Sequence, residues 1–492
     1  MRKRLVSLIA LGISISMFTG VASGCGKRQT TQPAANTTAV ADVKKPEKIT
    51  IMLDTGVVKE NGQEQFAEEF KKQTGIELKI IQPAHNQYYE KLDLSFSSGE
   101  IPDIVQIGDN NLTKYASQGA LLPLDKLIES SQNIKKIEKK YLDSEKVKGK
   151  VYGIPIEQGG GPVTYVRKDW LDNLNLKVPT TYDEFYNMLK AFAENDPDKN
   201  GKKDTIPLTA AGVTGYNYLR EFYQNAAPDF ILKDGKYVDG MAQPEMKAAL
   251  QRLNQAYKEG LIDKEIVTNK TSTSRDKWAA GKVGVFSYWA GNWNQLLDVR
   301  LKAGPEGKTA TMIPIAPIKE TKYQSRVPSI YAITSKCSNP EGVFKYFMDF
   351  MYDGGKGQIL FTHGVEGVHW ENKDGKLTHK PLLSNPKESF DKAFITPALS
   401  LNKITDTNYK FDIDSRISSS LELLNKNSIQ DSLLPLSKTL NKANADLVAL
   451  REEVLSKVML GTLSVDDGLA KYAKDSKALG VDQILTELNE NK

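Results

Sequence analysis

"KITIMLD", Lys48 to Asp54, sets Ile49, Ile51 and Leu53 against Thr50 and Met52, the period-two pattern of a strand. A helical stretch follows over Gln63 to Gln73, with Phe66 and Phe70 one turn apart among charges. "GIELKIIQP", Gly75 to Pro83, reads as a second strand. "YYEKLDLSFSSG", Tyr88 to Gly99, reads as a helix stopped by its glycine. "PDIVQIGD", Pro102 to Asp109, is a third strand. Strand, helix, strand, helix, strand at this spacing predicts βαβ units, a largely parallel sheet and the α/β fold class.

Helix signals continue downstream. Thr181-Tyr182-Asp183-Glu184 is a capping box, in which hydroxyl and carboxylate satisfy free amides at a helix start. Phe185, Met188, Leu189 and Phe192 then fall on one face. Ser338-Asn339-Pro340-Glu341 repeats the device, followed by a stripe of Phe344, Phe347, Phe350 and Met351. From about Asn444 the chain reads as helical, with breaks at Gly461 and Gly480. The 492 residues exceed one ordinary domain, and 40% hydrophobic with 26% charged residues is the balance of a globular protein. A net charge of +5 supplies no concentrated basic face for nucleic acid.

The first residues form a targeting segment. Arg2, Lys3 and Arg4 precede an apolar run, Leu5 to Phe18, too short to span a bilayer comfortably. "VASGC" ends at Cys25, and a cysteine after Ala22-Ser23-Gly24 resembles the lipobox of bacterial lipoproteins, with Ala22 standing where leucine is usual. The resemblance implies cleavage, a diacylated Cys25 and stable anchoring by two acyl chains. Cleavage removes three of the 66 basic residues and leaves a net charge of about +2. Cys337 alone then remains, which excludes an intrachain disulfide. The polar run Gly26 to Lys48 reads as a disordered tether.

Several motifs recur in a known order. They are "LSFSSGEIPDIVQIGD" (Leu94 to Asp109), "YASQGALLPLDKLIE" (Tyr115 to Glu129), "GKVYGIP" (Gly149 to Pro155) and "YVRKDWLDNLNLKVPTTYDEFYNML" (Tyr165 to Leu189). "YKEGLIDKE" (Tyr257 to Glu265), "WAAGKVGVFSYWAGNW" (Trp278 to Trp293) and the closing "LGTLSVDDGLAKYAKDSKALGVDQILTELN" complete the set. Together they resemble the family 1 extracellular solute-binding proteins, lipoprotein receptors of carbohydrate importers in the ATP-binding-cassette class. The resemblance covers almost everything after residue 47. It implies a two-lobed, periplasmic-binding-protein-like α/β fold with a hinge, discontinuous lobes and a carbohydrate cleft. The partners it implies are a carbohydrate, with the long chain and several loop aromatics favouring an oligosaccharide over a monosaccharide, and permease subunits of the importer. A monomer on the outer face of the cell membrane, held by lipid alone, completes the expectation.

The implied division has residues 1–24 as signal peptide, 25–47 as lipidated cysteine and tether, 48–158 with 325–355 as the first lobe, and 159–324 with 356–492 as the second. The first crossing falls in "IEQGGGPVTY" (Ile156 to Tyr165), where Gly159 to Gly161 permit unusual backbone angles. The return falls in "SRVPSIYAITS" (Ser325 to Ser335) and the last near "DGGKGQ" (Asp353 to Gln358). Lobe closure on a ligand is a hinge motion.

Sugars stack C–H faces on aromatic rings and need fixed donors and acceptors around their hydroxyl rims. "FSYWAGNW" supplies Tyr288, Trp289, Asn292 and Trp293, with Trp289 the first choice for stacking and Trp293 the second. Asp109, Asn110 and Asn111 follow the third strand, at the carboxyl end where ligands of open α/β sheets bind. Glu157 belongs at the hinge floor, Tyr216, Tyr218 and Arg220 in the second lobe, and Glu366, His369 and Trp370 on a loop reaching the cleft. Each has an ordinary surface or core position as its alternative. A secreted glycosidase needs a carboxylate pair across the cleft, and plentiful Asp and Glu leave that open. A surface adhesin is the other rival. No G-x-S-x-G elbow and no phosphate-binding G-x-x-x-x-G-K-[ST] is present, and His363, Glu366 and His369 are spaced by three rather than as H-E-x-x-H.

"DPDKNGKKD", Asp196 to Asp204, places Asp196, Asp198, Asn200, the Lys202 carbonyl and Asp204 at alternate positions, with Gly201 at the turn. That is the spacing of a calcium loop. Pro207 stands where an EF-hand has its closing Glu, and Thr205 where the resembled family has an acidic residue. Calcium is the expected cofactor, with a structural role.

Overall fold

The computed structural model describes residues 43–492 except 109, 110, 214, 306, 387–400, 402 and 409, and except the side chains of 216 and 308. The expected signal peptide, Cys25 and the tether up to residue 42 lie outside the described residues. The last tether residues do not hang free. Lys45 Nζ donates to the Thr74 carbonyl, Asn339 Nδ2 to the Lys44 carbonyl, and Glu77 N to the Glu47 carbonyl. The ordered body therefore begins before Lys48.

β1 (Lys48–Met52), α1 (Gln63–Thr74), β2 (Glu77–Ile81), α2 (Tyr88–Ser98) and β3 (Ile104–Ile107) form in the order expected. β1 runs parallel to both β2 and β3. The sheet is nonetheless mixed, because Ile330–Ile333 pairs antiparallel with β3 and with Ile154–Pro155. A second sheet has the order Met312–Pro314, Pro162–Arg167, Val283–Trp289, Ile206–Thr209. Its first two pairings are antiparallel and its last parallel. Each sheet has its own core. Ile51, Phe66, Phe70, Ile104, Tyr331 and Phe347 bury around the first, and Val166, Trp170, Phe185, Leu208, Leu253 and Val285 around the second. The C-terminal helices Lys438–Met459 and Val465–Ala478 join the second core through Val454, Val458 and Tyr472. Among the described residues no helix is long and apolar enough to cross a membrane.

The capping box at Thr181 forms in full, with Glu184 N donating to Thr181 Oγ1 and Thr181 N to Glu184 Oε2. At the second such motif the cap is Asn339, whose side chain accepts from Gly342 N, because Pro340 already occupies the first helical position. The C-terminal helix starts at Lys438, earlier than Asn444, with Ser437 as its cap.

Among the described residues the chain passes between the sheets three times. The first passage joins Ile154–Pro155 to Pro162–Arg167, and the second joins Tyr323–Ser325 to Ile330–Ile333. These two touch, with Arg326 N donating to the Gly160 carbonyl at 2.9 Å. A Cβ on Gly159 would lie 2.4 Å from the Arg326 carbonyl oxygen, and one on Gly161 would lie 2.1 Å from that of Gln324. Close backbone approach explains the glycines here, and a φ of +98° adds to it at Gly159. The third passage corrects an expectation. The chain does not leave the first lobe at Asp353–Gln358: Leu360, Phe361 and Leu382 sit in the first core, where Phe361 packs edge-on against Phe66. The chain joins the second lobe only around the helix Ser415–Asn427, whose Leu424 enters a core under the second sheet. The helix Lys356–His363 with Leu382 and Leu401 thus belongs with the first lobe, because Leu360 and Phe361 continue the apolar stripe of Phe344 to Met351.

Candidate functional site

The strand Val283–Trp289 runs from the second core to the hinge, where Trp289 pairs with Pro162 just past the glycines. Alternation puts Phe286 and Tyr288 on one face beside Trp278. Phe286 and Tyr288 stack with centroids 5.1 Å apart, and Trp293 meets Tyr288 edge-on at 4.8 Å. Tyr218 lies 6.3 Å from Tyr288, and its half-buried phenol is pushed up to about 12 by burial, against the pull of nearby Arg326. Trp289 is half-buried, with the Gly160 backbone against its ring and its carbonyl accepting from Tyr165 Oη. The Arg326 guanidinium lies over the same indole, 4.7 Å from its centroid.

Arg326 links this row to the first lobe. Its Nη2 donates to Glu157 Oε1 at 2.7 Å, and Glu157 Oε1 also accepts from Ser329 N. Thr55, Gln106, Ile156, Glu157, Arg326, Ser329 and Tyr331 line a small polar cavity. Gln106 is fixed there: its Oε1 accepts from the amides of Asp54 and Thr55, and its Nε2 donates to Thr55 Oγ1. Among the described residues the buried Tyr331 hydroxyl has no hydrogen-bond partner, and burial raises its pKa. A cavity with acceptors, donors and an unused hydroxyl beside an aromatic row matches what a sugar requires.

The structure thus brings Trp289, Tyr288, Trp293, Tyr218 and Glu157 together. Tyr288 is 5% exposed and supports the row as a core ring rather than offering a free face. Asn292 and Trp293 open the helix Asn292–Lys302 directly after the row. Asn111 opens the helix Asn111–Ser117 on the first lobe, while Asp109 and Asn110 lie outside the described residues. Tyr216 begins a short turn with Tyr218, and its side chain also lies outside them. Arg220 donates from Nε and Nη2 to the Lys322 carbonyl, bracing the second passage. Trp370 is not at the cleft. It is 2% exposed, packs with Ile359 and Leu377, and donates Nε1–H to the Gly364 carbonyl. Glu366, beside it, is exposed. His363 faces His379, and His369 faces Asn61 and Val365, so the H-x-x-E-x-x-H spacing gathers no metal site. Arg326, Gln106, Thr55, Ser329 and Tyr331 were not picked out by sequence. Arg326 sits inside a segment legible only as a crossing.

In the loop after the capped helix Tyr182–Glu194, Asp196 (φ +45°), Lys199 (φ +55°) and Gly201 (φ +76°) take left-handed backbone angles. Asp196 accepts from the amides of Asn200 and Gly201. Asn200 Nδ2 lies 2.7 Å from Asp198 Oδ2 and 3.1 Å from Asp204 Oδ1. An amide donor therefore stands where carboxylate oxygens of the loop converge, a place a cation fits once the amide turns its oxygen inward. Thr205 is no part of this. Its hydroxyl donates to the Phe192 carbonyl and ties the loop to the helix. Among the described residues no three His, Cys, Asp or Glu side chains are grouped so as to hold a metal ion.

The profile of the bacterial extracellular solute-binding proteins matches residues 58–353, more than half of the chain. Lipoprotein LipO of Bacillus subtilis is 29% identical over 63% of this chain, and the polygalacturonan/rhamnogalacturonan-binding protein YtcQ of the same organism is 26% identical over 63%. Each match spans 64% of the relative's own length. The solved structure of the Streptococcus pneumoniae substrate-binding protein FusA in complex with kestose superposes with a TM-score of 0.65 at 20% identity, covering 90% of this chain and 98% of that one. That likeness is one of fold, the two-lobed α/β architecture described above. With the family profile spanning both passages of the hinge, the chain belongs to the bacterial extracellular solute-binding proteins.

Proposed function

We propose that this chain is an extracellular receptor, anchored through a diacylated Cys25, that binds an oligosaccharide between its lobes. It hands the sugar to the permease subunits of an ATP-binding-cassette importer and performs no chemistry on it. The observation that carries this reading is the aromatic row ending at Trp289, which meets the polar Glu157–Arg326 cavity at the hinge. The names of YtcQ and FusA point to saccharide ligands for those relatives, and the same ligand class fits rings and fixed donors here.

Titration of the mature chain with fructooligosaccharides and plant-wall oligosaccharides, followed by tryptophan fluorescence, tests the reading. Saturable binding without release of reducing ends is the expected result, and release of reducing ends by the isolated chain overturns it. Trp289→Ala is expected to weaken binding by about 1–3 kcal/mol, the scale of an aromatic hot spot. Unchanged affinity removes Trp289 from the site.

We infer further that the 196–204 loop holds calcium through Asp196, Asp198, Asn200, the Lys202 carbonyl and Asp204. Its role is structural, fixing the turn from the helix Tyr182–Glu194 to the strand Ile206–Thr209. Lys282, paired with Asp204 at 3.3 Å, and the neighbouring lysines weaken the local negative potential. Calcium at about a hundred times its Kd is expected to stabilise the chain by about 2.7 kcal/mol over a chelator-treated sample. Equal melting temperatures with and without calcium overturn this, and Asp198→Ala should abolish any difference.

A further inference from the structure

Alternation along Val283–Trp289 turns Ser287 away from Phe286 and Tyr288, toward Thr164 on the paired strand and, through it, a buried carboxyl. Glu221, on the short helix Arg220–Tyr223, is 0% exposed. Its Oε1 accepts from Thr164 Oγ1 at 2.6 Å, and Thr164 Oγ1 stands 3.1 Å from Ser287 Oγ. Its Oε2 is buried with no hydrogen-bond partner among the described residues. The charge that bears on the carboxyl is that of Arg220, whose guanidinium donates to the Lys322 carbonyl. Tyr323 lies close enough to feel Glu221, but its hydroxyl donates to the Ile315 carbonyl and accepts from Thr164 N. On the neighbouring helices, Tyr182 meets Phe222 edge-on and Arg252 donates to the Phe222 and Tyr223 carbonyls, and neither bonds to the carboxyl. Tyr218, on the preceding turn, answers to Tyr288 and Arg326 instead.

An ionised carboxylate offers acceptor sites on both oxygens and is costly to bury unless they are filled or a cation pairs with it. Here one oxygen meets a neutral hydroxyl and the other meets nothing polar. Burial raises the Glu221 pKa, opposed by the Thr164 hydroxyl, its own amide and the charge of Arg220. The arrangement suits a neutral acid. Its Oε1–H then donates to Thr164 Oγ1, whose hydrogen passes on to Ser287 Oγ, and only a carbonyl oxygen stays unpaired. The cluster has reach. Thr164 pairs with Ser287 and Pro162 with Trp289 across the same two strands, and Thr164 N holds Tyr323 in the second passage.

We propose that Glu221 is a positioning residue of the saccharide site: as a neutral acid it joins Ser287 and Tyr323 through Thr164, and so fixes the second passage of the hinge against the strand that carries Trp289. The proposal rests on the receptor reading above. It adds a residue that acts on Trp289 from inside the second lobe without touching the sugar.

Urea unfolding of the mature chain between about pH 7 and pH 8 reads the proton. This window lies above the range in which His363 and His369 titrate and below that of an ordinary thiol. The unfolded glutamate is ionised throughout it, so a folded chain that keeps the proton loses stability as the pH rises. The unfolding constant of the wild type is expected to climb by up to about tenfold across that pH unit relative to Glu221→Gln, which has no proton to lose. Affinity for fructooligosaccharides and plant-wall oligosaccharides, followed by tryptophan fluorescence at pH 7, reads the positioning. Glu221→Leu, which fills the space without a polar group, should weaken binding about tenfold, the weight of a buried polar partner removed, and Glu221→Gln should restore it to within about twofold. Parallel slopes in wild type and Glu221→Gln, or a leucine variant that binds like the wild type, overturn the proposal and leave the receptor reading standing. A wild type that binds none of these oligosaccharides overturns the receptor reading and the positioning role together.

Discussion

Between pH 7 and pH 5 two buried histidines are expected to take about 4 kcal/mol from the stability of the chain, because they must take up protons that the fold excludes. His369 shows why. Its Nδ1 accepts from the Val365 amide at 2.8 Å, and its Nε2 faces the Asn61 carbonyl at 3.0 Å. The neutral ring with its proton on Nε2 satisfies both neighbours. A second proton would set an N–H against an N–H. His363 is equally confined, with Nδ1 3.0 Å from His379 Nε2 and its ring against Phe411. One of that pair donates and the other accepts, so neither gains from a charge.

Burial, reinforced by the neighbouring His379, lowers His363 to about 3. Burial, opposed by the Asn61 carbonyl, lowers His369 to about 4, with His379 and Lys380 adding to the fall. Both folded values lie below the ordinary histidine range. The unfolded chain therefore binds more protons as the pH drops below about 6.5, and stability falls from there toward the folded values. At pH 5 each histidine contributes about 2 kcal/mol to the loss. Urea unfolding at the two pH values measures it. His363→Gln should flatten the slope by about one proton even if it lowers stability at pH 7. A slope unchanged in that variant would remove His363 from the account. The effect should be strongest where Asn61 meets the hairpin Trp370–Lys373 and Lys376–His379, since His369 and Ser384 N both bond to Asn61.

That hairpin also shows what sequence could not convey. The βαβ opening and the Thr181 capping box were legible because each is encoded locally, by period or by cap. Trp370 was not. A tryptophan in a polar stretch looks the same whether it turns inward or outward, and what buries it here is Ile359 and Leu377 on other elements. The glycines at 354, 355 and 357 looked like a passage between lobes, yet Leu360 and Phe361 just beyond them prolong the stripe of the first core. Arg326 was illegible for a different reason. It stands alone in its segment, and its partners Glu157 and Trp289 lie 169 residues before it and at the end of another strand. Sites assembled across a hinge leave no local pattern.

Gly161→Ala is expected to cost about 3 kcal/mol, the upper end of overpacking effects, and to weaken saccharide binding with it. The new Cβ would stand 2.1 Å from the Gln324 carbonyl oxygen, a backbone atom that cannot rotate away. Relief requires the Pro162–Arg167 and Tyr323–Ser325 strands to separate where they cross. The same displacement reaches the site, because the Gly161 carbonyl accepts from Ala290 N and the Gly160 carbonyl from Arg326 N, on either side of Trp289. Stability and affinity should therefore fall together. Gly119→Ala separates this from the general cost of replacing a glycine. Gly119 has φ +72° and no atom within 4 Å of its would-be Cβ. That variant should lose about 1–2 kcal/mol from backbone strain and keep its affinity. If Gly161→Ala unfolds in urea like the wild type and binds as tightly, the two passages are not held in the register seen here, and the hinge cannot be what places Arg326 over Trp289.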